Sequence, residues 1–313
     1  MEQAERDRWL AMVRSTPDRL KAVLAGVPRK LVMWRPAPGK WSVHEIVCHM
    51  RDAERLGYLH RYTEIVTKDN PTFPNVDGDA LALEGQYRRA NLRDVLRDWR
   101  AARKACLAVL RKVKANQWTR TGTHATAGPM SLETVLQRQA LGNDEAHLAQ
   151  IENIKTRWAL MAKLQETPKA LAALVRGVSD DLLRRKPAPE KWSILEIACH
   201  LRDVEAFFVE RYGKLANHDR PQLRGIKQDE LAVKLRYNED DPALVLKEFQ
   251  ALRVEAVAIV GALAHQAWQR VGMHPTRGEV SFAWSVEHQV EHDANHLDQI
   301  RGLRERFVVP TPR

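Results

Sequence analysis

The chain is written twice. Residues Lys40 to Glu54 read KWSVHEIVCHMRDAE, and residues Lys191 to Glu205 read KWSILEIACHLRDVE. The correspondence runs through both halves of the 313 residues. Trp41 answers Trp192 and His49 answers His200 at an offset of 151. Tyr87 then answers Tyr237, Trp118 answers Trp268 and His124 answers His274 at 150, and His147 answers His296 at 149. An offset that shifts only twice, by one residue each time, marks a duplicated domain rather than a short-period repeat array. The length agrees, being long for one core and ample for two. The expected domains are residues 1–157 and 158–313. No Gly/Ser-rich linker lies near Arg157, where helical sequence runs from one copy into the next. Tight packing of the copies as a pseudo-twofold pair is therefore expected.

Within each copy the pattern is helical. Ser42 with Glu45, and Ser193 with Glu196, form the S-x-x-E signature of a capping box. Trp41 with Ile46, and Trp192 with Ile197, occupy the positions of a hydrophobic staple. Pro36 and Pro38, like Pro187 and Pro189, hold the preceding chain extended. Further helices are predicted at about Leu92–Val113 and Ser131–Trp158, and at about Pro242–Leu263 and Ser281–Phe307. Stretches such as KDNPTFPNVDGD and TRTGTHATAGPM read as loops. Two-residue alternation is scarce, so no strands are predicted. The expected fold class is all-α: two tandem four-helix bundles with irregular connections, one of them long.

Composition narrows the setting. Hydrophobic residues make up 44% of the chain, yet no run approaches the roughly 18 apolar residues of a membrane helix. The start, MEQAERDRWLAMVRSTP, lacks the apolar centre of a signal peptide. Cys48, Cys106 and Cys199 are odd in number and show no CxxC spacing, so neither disulfides nor a thiolate zinc site is expected. These features predict a soluble protein of a reducing, cytoplasmic compartment. The net charge of +10 is uneven, with +9 in residues 1–157 and +1 in the remainder. A basic half can attract anionic partners, nucleic acid included. Its cations, however, are strewn along segments such as RRANLRDVLRDWRAARKACLAVLRK, where Asp94 and Asp98 interrupt them. That alternation reads as a solvated helix face, and a nucleic-acid partner is not expected.

The histidines of the second copy carry the chemistry. Ile197, His200 and Val204 recur at helical spacing on the face expected to meet the core. A lone histidine there is by default a hydrogen-bonded core residue. The last helix changes that reading, because SVEHQVEHDANHLDQI sets His288, His292 and His296 at i, i+4 and i+8. Three stacked imidazoles make a poor structural choice, since burial disfavours their charge and leaves polar nitrogens to satisfy. A metal ion resolves the conflict by accepting the lone pairs of neutral rings. Together with a core-facing histidine on a neighbouring helix, this pattern predicts a three-histidine site inside the bundle.

KWSxxEIxxHxxDxE, the G-x-H-x-x-x-G segment and the terminal HxxxHLxQI together resemble the DinB/YfiT-like family, across both copies and essentially the whole chain. The resemblance implies four-helix bundles holding a divalent metal, commonly zinc or nickel, through three side chains of the second and last helices. By motif those ligands are His200, His292 and His296, with His288 one turn earlier as a residue of the pocket. Copy one departs from the pattern. Its last helix reads LQRQALGNDEAHLAQI, and aligning His147 with His296 puts Asn143 opposite His292 and Gln139 opposite His288. His49, Asn143 and His147 would form only a weak second site. Asp144 could compensate only if the helix turned it inward by about 100°.

Other candidates are read as structural. His124 and His274 are expected to bond backbone carbonyls from their loops, and Cys48 and Cys199 to be small core residues. Asp203 and Glu205, matched by Asp52 and Glu54, are expected in salt bridges to Arg202 or Arg211. Glu287 and Glu291 are candidate acid/base groups, each one residue before a histidine and so about 100° away from it. No Ser-His-Asp set, P-loop or dinucleotide fingerprint is present, and no organic cofactor is expected. Three protein ligands leave a metal with an open position, as in catalytic zinc sites. Such an ion can lower the pKa of water to about 7 or bind a thiol as thiolate. The leading expectation is a metal-dependent enzyme acting on a small molecule, with its active site in the C-terminal copy. It would be a hydrolase or, as the resemblance implies for some members, an S-transferase using a low-molecular-weight thiol. The alternative is a non-catalytic metal-binding or scaffold protein that meets an anionic partner through its basic half. Pairing of related bundles as homodimers implies a monomer here, with that pairing contained in one chain.

Overall fold

The computed structural model describes residues 3–84, 86–226 and 228–308. Its contacts divide the chain into two units, residues 1–35 with 40–156, and residues 157–313 with 36–39. The long helices of unit one are α1 (Gln3–Leu24), α2 (Val43–Asp52), α3 (Leu59–Thr67), α4 (Leu92–Leu110), α5 (Leu132–Gln137) and α6 (Ala146–Val175). A π-helical turn, Ala53–Tyr58, joins α2 to α3, and a second, Arg138–Glu145, joins α5 to α6. Each jointed pair serves as one long helix, so unit one is a four-helix bundle. Residues of α6 from Arg157 onward form the first helix of unit two. The other three are α7 (Ile194–Asn217), α8 (Pro242–Ala262) and α9 (Phe282–Val308).

The capping boxes set the angle of the second helix in each bundle. The Glu45 amide donates to Ser42 Oγ at 3.3 Å while the Ser42 amide donates to Glu45 Oε2 at 2.9 Å. In unit two the corresponding distances are 3.1 and 2.8 Å. From that start, helical spacing drives Val43, Ile46, Val47 and Met50, or Ile194, Ile197, Ala198 and Leu201, into the interior. Tyr62, Ile65, Cys106, Leu132 and Leu136 close the core of unit one. In unit two Ile194, Ile197, Phe249 and Ile300 form one cluster, and Tyr212, Val260, Phe282 and Val286 another.

The two shifts in the repeat offset have a single structural form. Arg103 binds Glu54 and Asp144 as Arg253 binds Glu205 and Asp293. The Tyr62 hydroxyl donates to Gln139 as the Tyr212 hydroxyl donates to Gln289, at 2.6 Å in both units. These matched partners place one extra residue of unit one between Glu54 and Tyr62, and another between Gln139 and Asp144. The two π-helical turns lie there, while α7 and α9 run through the same regions as uninterrupted α-helix. An i→i+5 turn takes in one residue without breaking the helix. This corrects the alignment of the last helices: Gln139 stands opposite Gln289, and Arg138 opposite His288.

Short strands correct the all-loop reading of the connections. In unit one β1 (Thr72–Phe73) lies parallel to β2 (Thr121–His124), which pairs antiparallel with β3 (Gly128–Ser131). In unit two β4 (Val271–His274) pairs with β5 (Gly278–Ser281), and a parallel bridge joins Gln222 to Met273. Four-residue strands are too short for alternation to register in sequence. The G-x-H-x-x-x-G segment is therefore a β-hairpin. A Cβ on its first glycine would stand 2.5 Å from Phe73 in unit one, or 2.9 Å from Leu215 in unit two, and the second glycine has φ of +71° or +72°.

Candidate metal centre

His200 comes from the second turn of α7, and His292 and His296 from successive turns of α9. One ring nitrogen from each lies within 4.8 Å of the others. The Nε2 atoms of His200 and His292 are 3.0 Å apart. The His296 ring centroid lies 4.7 Å from that of His200 and 4.5 Å from that of His292. Two nitrogens bound tetrahedrally to zinc stand about 3.3 Å apart, so the spacing suits a shared ion. Among the described residues, no other set of three His, Cys, Asp or Glu side chains meets this spacing.

Burial disfavours the charged form of His200 and His296. Burial, followed by the neighbouring imidazoles, pushes His200 down to about 3. Burial and His292 also lower His296. His296 Nδ1 lies 3.0 Å from Gln299 Oε1, an acceptor that places the proton on Nδ1 and frees the Nε2 lone pair. His292 Nδ1 is buried without a hydrogen-bond partner, 3.9 Å from Asp293 Oδ1. Trp192, read from sequence as a helix staple, packs 4.8 Å from the His200 ring and stacks on His296 at 6.3 Å. Three imidazoles with converging ring nitrogens and an orphaned His292 Nδ1 are a donor set that fits a divalent ion.

Beneath them lies a buried ionic network that sequence reading missed. Glu205 bonds Arg253 and Gln289, not Arg202 or Arg211. Arg253 also binds Asp293 at 2.7 Å and the Leu164 carbonyl at 2.8 Å. The i, i+3 spacing of His296 to Asp293 and the lone arginine at mid-helix in α8 were the available signals. Asp203 does pair with Arg202, at 2.7 Å, and accepts from the Tyr237 hydroxyl.

A cavity of about 630 Å³ opens against His200 and His292. Val204, Phe207, Phe208 and Ile226 give it apolar walls, and Arg211, His274, Arg277 and His288 give it a polar side. His288 stacks on Trp284 at 4.7 Å and stays outside the triad, and burial together with Arg277 lowers its pKa. Glu287 and Glu291 are exposed and line no part of this cavity, because one residue along the helix turns them to solvent. Among the described residues His274 donates to no carbonyl. Its Nδ1 accepts from the Thr276 amide at 3.3 Å, as His124 Nδ1 accepts from Thr126 and Ala127. Cys48 and Cys199 are fully buried, and burial raises both thiols, Cys48 to about 12.

Copy one keeps two of the three rings. His49 and His147 have centroids 4.9 Å apart, and Trp41 packs 4.8 Å from His49. Asn143 is buried, and its Nδ2 donates to Asp144 Oδ1 at 3.1 Å. Asp144 does point inward, but Arg103 and Thr16 hold its oxygens. Gly78 approaches His49 so closely that an added Cβ would lie 2.7 Å from the ring. On the basic helix α4, Arg97 pairs with Asp94 and Asp98 in exposed ion pairs.

The model of the DinB superfamily matches residues 4–151 and 163–300. YuaE of Bacillus subtilis, an uncharacterised protein, is 25% identical over 147 residues, covering 42% of this chain and 90% of YuaE. A Geobacillus thermodenitrificans protein named "Putative metal-dependent hydrolase" is 26% identical over 152 residues, covering 47% of this chain and 83% of that protein. The solved structure of YfiT from Bacillus subtilis, described as "a probable metal-dependent hydrolase with an unusual four-helix bundle topology", is 21% identical with a TM-score of 0.47. It covers 49% of this chain and 89% of its own. No helix among the described residues is long and apolar enough to cross a membrane.

Proposed function

This chain belongs to the DinB superfamily in both of its copies, and from that membership we propose that it is a metal-dependent hydrolase of a small molecule, with one active site, in the second copy. The observation that supports this most directly is the convergence of His200, His292 and His296 at the wall of a cavity of about 630 Å³. His200, His292 and His296 would hold a zinc or nickel ion, which would supply Lewis acidity and lower the pKa of a bound nucleophile.

The chain's own residues do the rest. Gln299 holds His296 in the tautomer whose Nε2 is free. Asp293, fixed by Arg253, stands where a small turn of the His292 ring brings Nδ1–H to its carboxylate. Trp192 limits the motion of two ligand rings. Phe207, Phe208 and Val204 give the substrate space an apolar wall. His288 is neutral near pH 7 and faces the same cavity, where it can take a proton from the attacking nucleophile.

Metal analysis of the full chain is the test. About one transition-metal ion per chain is expected in the wild type and in His147→Ala, and none in His292→Ala. A folded wild type without metal after growth in metal-replete medium, or His292→Ala with full metal content, would sink the proposal. With metal established, turnover of ester, amide or phosphoester probes by the wild type but not by His292→Ala supports hydrolysis. Activity that appears only with an added low-molecular-weight thiol replaces hydrolase by S-transferase. Salt-sensitive binding of DNA or RNA by a metal-free chain supports the scaffold alternative instead.

A further inference from the structure

We propose that Arg211, Arg277 and His274 form an oxyanion subsite in the cavity of the second copy, so that the substrate is a small molecule bearing a carboxylate or phosphate. The word substrate rests on the hydrolase reading above, whereas the subsite rests on the cavity itself.

Arg211 carries the inference. It is 9% exposed, yet it makes no ion pair with any described residue, and its guanidinium lies 5.1 Å over the Phe208 ring. The two buried arginines beneath the histidines are treated differently, since Arg103 and Arg253 each bind two carboxylates. A buried cation without a counter-ion is costly to keep, and burial and the charge of Arg277 both weigh against it. The cation lines a cavity, where an incoming anion can supply the missing charge.

The rest of the polar wall adds one more cation and neutral donors. Arg277, at the turn of the β4–β5 hairpin, lies 5.4 Å over Trp284 and lines the cavity with Arg211. His274 Nδ1 accepts from the Thr276 amide, and Thr276 Oγ1 lies 3.2 Å away, which leaves the ring proton on Nε2 as a donor. Among the described residues no Asp or Glu lines this cavity. A guanidinium fork, a second arginine and a ring N–H suit a carboxylate or a phosphate by charge-assisted hydrogen bonds.

The position sets a length. Arg211 lies eleven residues after His200 on α7, about 16 Å along the helix at 1.5 Å per residue. The flexible arginine stem shortens that span, so the anionic group and the reacting centre would sit at opposite ends of an extended small molecule. Copy one lacks part of the arrangement. Its Arg61 lies 3.1 Å from His124 Nε2, and the position of Arg277 is Ala127. The hairpin arginine and the third histidine are thus found in the same copy, while copy one carries Arg138 at the position of His288.

Calorimetric titration of the full, metal-loaded chain with succinate, inorganic phosphate and neutral succinamide tests the subsite. One anion site per chain is expected, with succinamide bound about tenfold more weakly or not at all. Affinity should fall about tenfold or more in Arg211→Gln and in Arg277→Gln, and stay unchanged in Arg236→Gln, an exposed arginine outside the cavity. Arg277 is exposed, so its variant keeps the test valid if Arg211→Gln fails to fold. Preference for succinate assigns a carboxylate, and preference for phosphate assigns a phosphate. Equal binding of succinamide and succinate, or wild-type anion affinity in both cavity variants, overturns the proposal. His292→Ala separates the two readings: anion binding that survives there upholds the subsite whatever the metal content, and arginine-independent binding lost there assigns the anion to the metal and overturns it.

Discussion

In copy one, Asp144 gives both oxygens to Arg103 and takes Thr16 and Asn143 besides. In copy two, Asp293 takes Arg253 and leaves Oδ1 only 3.9 Å from the unpartnered His292 Nδ1. The same carboxylate is saturated in one bundle and partly free in the other. Around it the skeleton is shared: an arginine of the third helix, a glutamate of the second, a glutamine of the last and a tyrosine hydroxyl. The difference teaches that the ionic network belongs to the fold, because both copies hold it. The third imidazole is an addition that only one copy carries. Where it is missing, an asparagine donates to the carboxylate, and Gly78 packs against the first histidine.

If the network is a folding element, breaking it should cost the same in both copies. Arg103→Met and Arg253→Met each strand two buried carboxylates and should each lose about 3–5 kcal/mol in urea denaturation. That is a large share of a domain's stability. A loss confined to Arg103→Met would break the comparison and make Arg253 a servant of the site rather than of the fold.

If one side chain separates the sites, restoring it should restore binding. In a His292→Ala background, Asn143→His should return metal toward one ion per chain, held with His49 and His147. The return should be weaker than the wild-type site, since Gly78 crowds His49. Metal analysis and competition with a chelator would measure it. No metal would show that the π-helical turn Arg138–Glu145 has carried position 143 away from the other two rings.

Sequence showed the duplication, the helix starts and the three histidines, because each rests on spacing within one helix. Ser42 and Ser193 cap as their S-x-x-E pattern requires, and His292 and His296 meet because residues four apart share a face. The convergence of His200 with them could be expected only from the bundle class and the family resemblance. What escaped depends on contacts between distant segments. Arg253 looks like any arginine on an amphipathic helix until Glu205 and Asp293 close on it. The π-helical turns left only a one-residue slip in the offset, which fixed their neighbourhood but not their form. Arg211 stands near Asp203 and Glu205 in sequence and so reads as a partner for them, yet Arg202 takes the one and Arg253 the other, leaving Arg211 at the cavity wall.

The smallest expected effect sets the copies apart in acid. Burial, then the charge of His147, pushes His49 down to about 4, and burial, then the other two imidazoles, pushes His200 to about 3. In the unfolded chain both titrate near 6.5. A depressed folded pKa means that the unfolded state takes up protons first, so stability is full above about 6.5 and falls as pH drops toward the folded value. For the metal-free chain the His49 contribution should therefore disappear between about pH 6.5 and 4. After allowance for its partial exposure it amounts to about 2 kcal/mol. The His200 contribution should go on falling to about pH 3. His49→Leu should flatten the upper part of this slope in urea midpoints measured from pH 7 to 4, whatever it does to stability at pH 7. The slope is the informative quantity, because packing changes shift the whole curve while proton linkage tilts it. An unchanged tilt in His49→Leu would mean that His49 keeps an ordinary pKa, and that the incomplete site in copy one is open enough to hydrate its ring.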